Sequence, residues 1–569
     1  MFIFPAWINT LKQQPKLITN DLSAGLMMAV LVIPQSLGYA ALAGLPPIMG
    51  LYASIVPTLV YAYIGSSSVS ALGPVAVTAI MTASALSDYA TGSIQYISLS
   101  ITLALMVGVI LCLSSVLRLG WIMQFVSRGV SSGFVSAAAV MIIISQLKNL
   151  IGAPITGGSL TDIIKNLSHG GFYIHTSTAM LGLGAFAILL ANRYIKSLWS
   201  WLPKSSADFA KRLVVIVITV IAIILANHLN WQALGIRLLE PLPTGFPSLS
   251  LHLPSISTII AMLPSALLIA LIAFISSSAV ASNYARTHKE PFDNNKELLG
   301  LGFANIASSM SGSFAVTGGI SRTSLNIGLG AKTPFASVVC ALGILLILLF
   351  FGQYLTGLPY AVLSAIIVIS AVQMVDTDTL KSAIKHDTAD AWCWGISFAV
   401  AIGFGLNVGL IAGILASFAL MVYRSHRVNI ATIGQIGDSG HFRDITRHKA
   451  TTFDSLLMLR IDESLYFGNA TTIHDTLRRR YYEHPNAREI ILIMTAVNHL
   501  DLTAQEMLID FNQEVKSQGK RLHLTEVKGP IMDILKDGEL LNQLTGEVFL
   551  STKQAVDKLK YQGGDWCGL

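Results

Sequence analysis

Ala71-Leu72-Gly73-Pro74-Val75-Ala76-Val77-Thr78-Ala79-Ile80 opens an apolar run that ends at Leu86. From Pro74 to Leu86 the run is too short to cross a bilayer, which takes about 20 residues. It reads as a half-helix preceded by extended chain. Gly73 tolerates an unusual backbone, and Pro74 suits a first helical turn, where no N–H partner is required. A second stretch repeats the pattern. Ser313-Phe314-Ala315-Val316-Thr317-Gly318-Gly319-Ile320 is an extended, glycine-broken run, and Ser321-Arg322-Thr323-Ser324 starts another short helix that ends near Gly328 or Gly330. Nearer the start, Asp21-Leu22-Ser23-Ala24-Gly25 opens an apolar helix that Pro34 is read as interrupting. This leaves Gln35 as a polar side chain at membrane depth, and a further helix follows from Pro46-Pro47.

Short segments broken by Gly or Pro at matching places in two halves point to a transporter binding site. A half-helix N-terminus presents unpaired N–H donors and the positive end of a dipole. Two of them meeting at mid-membrane make an anion site without placing many full charges in lipid. Arg322 adds a cation beside the second start. A charge at membrane depth is functional by default, the alternative being that Arg322 snorkels or pairs with a carbonyl.

The surrounding composition fits a polytopic membrane protein. Of 569 residues, 53% are hydrophobic and 12% charged, against roughly 25% charged in a soluble domain. Ile97–Leu117, Val214–Leu229, Ile259–Ser276, Val338–Phe351 and Ile396–Tyr423 are long apolar stretches with almost no charge. Counting helices and half-helices gives about 14 segments, seven in each half. Basic loops face the cytoplasm. They hold Arg193, Lys196, Lys204, Lys211 and Arg212; Arg286, His288, Lys289 and Lys296; Lys381 and Lys385; and Arg424 with Arg427. The connection 227–257 carries only Arg237 as a firm positive charge and is expected to face outward. Both termini are then cytoplasmic, and the short N-terminal apolar segment from Phe2 to Trp7, with Lys12 and Lys16 behind it, reads as interfacial. Cys112, Cys340, Cys393 and Cys567 form no metal or redox spacing. Gly405-x-x-x-Gly409-x-x-x-Gly413 reads as a packing stripe inside the bundle. Asp387 and Asp390 read as solvated or helix-capping.

Three motifs together resemble the sulfate permease family of anion transporters. They are Pro34-Gln35; Tyr39-Ala40-Ala41-Leu42-Ala43-Gly44-Leu45-Pro46-Pro47-Ile48-Met49-Gly50-Leu51-Tyr52-Ala53-Ser54; and Gly73-Pro74-Val75-Ala76-Val77. Asn295-Lys296-Glu297-Leu298 and Asn305 resemble its motif after the eighth span. The resemblance implies an α-helical fold of 14 segments as a 7+7 inverted repeat, with a core domain, a gate domain and elevator-type alternating access. The implied anion contacts fall on Gln35 and Tyr39 of the first segment, Val75 and Ala76 of the third, and Ser321 and Arg322 of the tenth. Tyr39 reads equally well as a core aromatic. Many bacterial members carry a glutamate in the eighth segment where this chain has Ser276, which lacks a carboxylate to exchange a proton. Ser276 is retained as a coupling-ion position, while Ser277 and Ser278 read first as small packing residues. No cofactor is implied, and sodium or a proton is the candidate coupling ion.

After Tyr423 the chain turns polar. Strands at Ser455–Ile461, Glu489–Met494 and Arg521–Thr525 alternate with helices at Thr471–Tyr482, Leu502–Lys516 and Ile531–Leu535, giving a small α/β domain. It resembles a STAS domain. Thr503 falls where related domains carry a phosphorylation motif, though its preferred reading is a helix cap. Arg478, Arg479 and Arg480 form a solvated face or meet anionic lipid or a partner. The expected organisation is a cytoplasmic N-terminal segment (1–20), a transmembrane transport domain (21–425), a linker (426–450) and the STAS domain (451–562).

The expected activity is secondary active transport of a small inorganic anion, sulfate first, across the cell membrane. Bicarbonate, chloride or a dicarboxylate come next. An anion channel or a STAS-linked sensor is the alternative class. A nucleobase carrier would need acidic residues in the eighth and tenth segments, where this chain has Ser276 and Arg322. No acid–base or nucleophile constellation marks an enzyme. The expected partners are the anion, the bilayer, a second copy as homodimer and a cytoplasmic protein at the STAS domain, with no nucleic acid.

Overall fold

The computed structural model describes residues 5–87, 89, 91–121, 127–153, 160, 161, 164, 173–195, 204–239, 254–355, 357–437 and 439–560. Lys196, Cys567, residues 2–4 of the interfacial segment, 240–253 of the outward connection and 561–562 of the STAS domain lie outside the described residues. Two compact units result, residues 1–417 and 418–569.

The first unit begins with α1 (Ala6–Gln13), α2 (Lys16–Leu42) and α3 (Ile48–Ile64). Then come the two-residue strand β1 (Leu72–Gly73), the short α4 (Ala76–Ala85), and α5 (Ile94–Val116), α6 (Arg128–Leu150), α7 (Thr176–Tyr194) and α8 (Lys204–His228). The order then repeats: α9 (Ile256–His288), α10 (Asn294–Met310), β2 (Thr317–Gly318), the short α11 (Ile320–Gly328), α12 (Phe335–Phe351) and α13 (Tyr360–Val372). The polar α14 (Thr377–His386) precedes α15 (Thr388–Phe404) and α16 (Leu406–His426). Among the described residues, setting α1 and α14 aside leaves seven segments in each half, with a strand and a half-helix third in each. Seven described helical stretches are long and apolar enough to cross a membrane, and the chain is a multi-pass membrane protein.

Four local readings are corrected. Pro34 does not interrupt its helix: α2 runs through it from Lys16 to Leu42. A proline is tolerated in a membrane helix whose neighbours cover the freed backbone, and α2 packs on α3, α12 and α13. The first unit's helix also starts before residue 21, the expected boundary. Pro74 lies outside the first turn of α4, whose N-cap is Val75 in extended conformation, φ −130° and ψ 146°. The run Ile396–Tyr423 breaks at Gly405, which has φ +99° and ends α15. Gly409 and Gly413 do pack inside, where an added Cβ would lie 2.3 Å from Ala401 Cα and 2.8 Å from Ser397 Cβ.

Contacts sort these helices into two groups. In one, α2 packs on α3 and α12, α10 on α3 and α5, and α9 on α5, α4 and α11. In the other, α6 packs on α13 and α15, and α7 on α6, α8 and α13. The groups meet where α2 touches α13 and α8 and where α4 touches α6.

The second unit is a six-stranded sheet in the order β4-β3-β5-β6-β7-β8. Its elements are β3 (Ile430–Gln435), β4 (Phe442–Asp444), β5 (Leu456–Ile461), α17 (Ala470–Tyr482), β6 (Glu489–Ile493), α18 (Leu502–Ser517), β7 (Arg521–Thr525), α19 (Gly529–Asp537), α20 (Leu540–Gln543), β8 (Val548–Phe549) and α21 (Thr552–Lys560). Strands β5 to β8 pair in parallel, each joined to the next through helix. Leu457, Leu459, Ile490, Leu492, Leu522 and Leu524 face one core, while Leu456, Met458, Ile491 and Ile493 face the other. The segment 426–450, expected as a linker, carries β3 and β4, which pair antiparallel. Thr503 is an exposed second residue of α18, and the cap is Asp501 instead, whose Oδ1 accepts from Ala504 N at 2.9 Å. Asp387 does cap its helix, accepting from Ala389 N at 3.0 Å.

Candidate functional site

The two interrupted segments lie against each other. Leu72 pairs with Gly318 and Gly73 with Thr317, antiparallel. The pair satisfies backbone groups that would otherwise be unpaired at bilayer depth and sets the starts of α4 and α11 side by side. Their N-caps, Val75 and Gly319, abut: a Cβ on Gly319 would lie 2.9 Å from Val75 Cγ2. Neither cap uses a side chain to bond the helix start, so the first-turn N–H groups of both helices are left for water or an anion.

Arg322, in the first turn of α11, is 4% exposed. Its guanidinium passes over Gly73, where a Cβ would fall 1.9 Å from Nη1. Nη1 donates to the Pro74 carbonyl at 3.3 Å and Nη2 to Ser54 Oγ at 3.3 Å. Among the described residues no carboxylate pairs with it. Carbonyl and hydroxyl partners hold the group but leave its charge uncompensated, and a buried charge is costly without a counter-ion. Thr323 Oγ1 accepts from Ala71 N at 3.2 Å and Asn326 Nδ2 donates to the Val69 carbonyl at 2.9 Å, tying α11 to the chain before β1.

The other expected contacts divide. Ala76 is buried, Val75 half-buried and Ser321 exposed, all at the two helix starts. Gln35 and Tyr39 lie on α2, where Gln35 Nε2 donates to Ser370 Oγ at 3.4 Å. Tyr39 is buried and within interaction range of both Arg322 and Ser370. Ser370, on α13 of the second helix group, was missed by sequence reading because a serine inside an apolar run carries no signal of its own.

Ser276 is half-buried on α9. Its neighbour Ser277 donates to Glu297 Oε1 at 2.6 Å, and Tyr61 donates to the same carboxylate at 2.8–2.9 Å. Ser277 also lies under β2, its Oγ 2.4 Å from where a Cβ on Gly318 would sit. Ser277 is thus more than a small packing residue. A fully buried carboxylate therefore exists beside the second strand, supplied by α10 and not by position 276. The motif Asn295-Lys296-Glu297-Leu298 was the available signal. Among the described residues no group of acidic, His or Cys side chains could hold a metal.

Residues 18–397 match the sulfate permease family and residues 447–555 the STAS domain. The chain belongs to the sulfate permease family. This is a family of transporters, not of enzymes. The permease is 31% identical over 557 residues to the chloroplastic sulfate transporter 4.1 of Arabidopsis thaliana, covering 94% of this chain and 80% of the relative. It is 27% identical over 561 residues to a probable sulfate transporter of Mycobacterium tuberculosis, covering 98% of each. Its fold matches the murine solute carrier 26 family member A9 anion transporter in the inward-facing state with TM-score 0.85 and 22% identity, over 99% of this chain and 96% of that one. The transmembrane domain of a cyanobacterial bicarbonate transporter matches with TM-score 0.59 and 20% identity, over 71% of the permease and 97% of that domain.

Proposed function

We propose that this permease moves a small inorganic anion, sulfate first, by secondary active transport, with the anion held between Val75–Ala76 and Ser321–Arg322. The observation that carries the reading is Arg322: a buried guanidinium without a carboxylate partner among the described residues, beside two abutting helix starts. An oxyanion there would receive first-turn N–H groups from α4 and α11 and the field of the guanidinium. Gln35 and Tyr39 bound the site from α2. Sulfate leads because the two sequence relatives above are named a sulfate transporter and a probable sulfate transporter. Bicarbonate, chloride and dicarboxylates share the donor requirement and are the competitors.

The contact pattern supports elevator-type movement. Both half-helices and α2 sit in the first helix group, while Ser370 reaches the site from the second. Sliding one group past the other would carry the anion from one side to the other. With an even number of crossings and basic loops inside, both termini are proposed to face the cytoplasm, with the protein in the cell membrane. The protein is proposed to act as a homodimer and its STAS domain to receive a cytoplasmic partner, with Thr503 as an accessible phosphate acceptor. Sodium or a proton is the proposed coupling ion, bound near Ser276 without relying on its hydroxyl.

Competition uptake in proteoliposomes tests this, using labelled sulfate against sulfate, bicarbonate, chloride and succinate with and without ion gradients. Saturable uptake with counter-transport is expected. Uptake indifferent to all four anions would sink the reading, and non-saturable flux would move it to a channel.

A further inference from the structure

Against Arg322 lies a cavity of ≈ 10 Å³ lined by Met28, Thr58, Leu72, Arg322, Asn326 and Cys340, with Ala71 and Ser337 completing its wall and neither Val75, Ala76, Gly319 nor Ser321 among its lining. Two of these residues carry buried polar atoms with no partner, Arg322 Nε and Asn326 Oδ1. Both side chains are more than nine-tenths buried, at 4% and 1% exposure. Leaving such atoms unbonded is costly, so unsatisfied atoms beside an internal space call for a small ligand between them.

The donor and acceptor pattern identifies that ligand. Asn326 Nδ2 donates to the Val69 carbonyl at 2.9 Å, which fixes the amide and leaves its oxygen as the free atom. The Thr58 hydroxyl already donates to the Leu72 carbonyl at 3.1 Å and the Ser337 hydroxyl to the Ser70 carbonyl at 3.4 Å. Each therefore has only acceptor capacity left. The cavity thus offers one strong donor, Arg322 Nε–H, one weak donor, the free Cys340 thiol, and up to three oxygen acceptors. An anion would meet those acceptors unfavourably, and a cation would meet the guanidinium. A molecule that accepts once and donates twice fits. The space holds about one water, which needs two to four polar partners.

We propose that a single resident water occupies this cavity, accepting from Arg322 Nε and donating to Asn326 Oδ1, and that it positions the guanidinium for the anion site. Its occupancy is independent of what the protein transports. Its positioning role rests on the anion reading above.

A high-resolution structure of the full-length protein prepared in bromide tests occupancy. A water peak within hydrogen-bond distance of both atoms, with no anomalous bromide signal, is expected. An empty cavity or bromide there would overturn the proposal. Asn326→Leu removes the acceptor and Cys340→Met fills the space from α12. Each should raise the half-saturating anion concentration about tenfold, the loss of roughly one hydrogen bond's worth of positioning, with a smaller change in maximal rate. Two variants protect against one failing to fold. An unchanged half-saturating concentration in a folded variant would remove the positioning role. Loss of all transport in the wild type would instead strike the anion reading and leave the water peak standing.

Discussion

The guanidinium of Arg322 occupies the space that the missing side chain of Gly73 leaves, so one half of the chain supplies the charge and the other supplies room for it. Gly73→Ala places a methyl group 1.9 Å from Nη1, closer than any real contact. The variant should insert and fold yet lose at least about tenfold in apparent anion affinity, because the displaced guanidinium forfeits charge-assisted hydrogen bonds of ~1.5–3 kcal/mol. Concentration-dependent uptake in proteoliposomes reads this, and wild-type kinetics would show that the contact is incidental.

Arg322→Ala should abolish uptake or weaken it more severely than Gly73→Ala. Arg322→Lys keeps a charge but loses the planar fork that reaches both Pro74 and Ser54, and it should fall between the two. Equal activity of the Lys variant and the wild type would mean that only charge matters at this position.

Glu297 and Ser276 should separate by stability and coupling. Glu297→Ala strands the Tyr61 and Ser277 hydroxyls in a buried site, at ~1–3 kcal/mol each, and should lower the unfolding temperature of the solubilised protein by several degrees. Ser276→Ala should change that temperature little. If uptake depends on a proton gradient, the dependence should survive Ser276→Ala. Its loss there would show that position 276 carries coupling after all.

The STAS domain should be acid-sensitive through Glu489. Burial alone would push its carboxyl up, but hydrogen bonds from His523 at 2.8 Å and Arg521 at 2.6 Å outweigh burial and hold it below the usual value. A depressed folded pKa stabilises fully above the unfolded value of about 4.3 and the benefit disappears as pH falls through the folded one. Hydrogen exchange of β6 and β7 in the full-length protein should therefore accelerate below that range. In Glu489→Gln exchange should already be faster at neutral pH and should change less on acidification.

Truncation near residue 430 should leave a membrane unit that inserts and folds, since residues 1–417 form a compact unit of their own. Size-exclusion behaviour in detergent measures this. Aggregation would make the C-terminal domain part of assembly.

Much of this was legible because glycine and proline punctuate apolar chain in only a few ways. The half-helix after Gly73 and its counterpart after Gly319 were located to within a few residues, and so were the three parallel strands β5, β6 and β7. Pro34 was misread because sequence shows the lost N–H but not the neighbouring helices that cover it. The strands β3 and β4 were missed because they are short and lack clear polar–apolar alternation, although they pair with each other as a hairpin. Ser370 and the Glu297 cluster depend on contacts between α2 and α13, or among α3, α9 and α10, that no local pattern encodes. The anion-facing residues were named from motif resemblance, and the contact between Arg322 and Gly73 appeared only in three dimensions.

The antiparallel pair of β1 and β2 has a consequence for heredity and for protein engineering. Each half of the molecule contributes two residues to a ladder that the other half completes. A seven-segment half expressed alone would carry bare backbone into the bilayer, where no solvent can satisfy it. Although the halves repeat one another in plan, neither can be a surviving ancestor in its present form. They have become obligate complements, and a change at Gly73, Val75 or Gly319 must be answered by a change on the opposite side of the repeat.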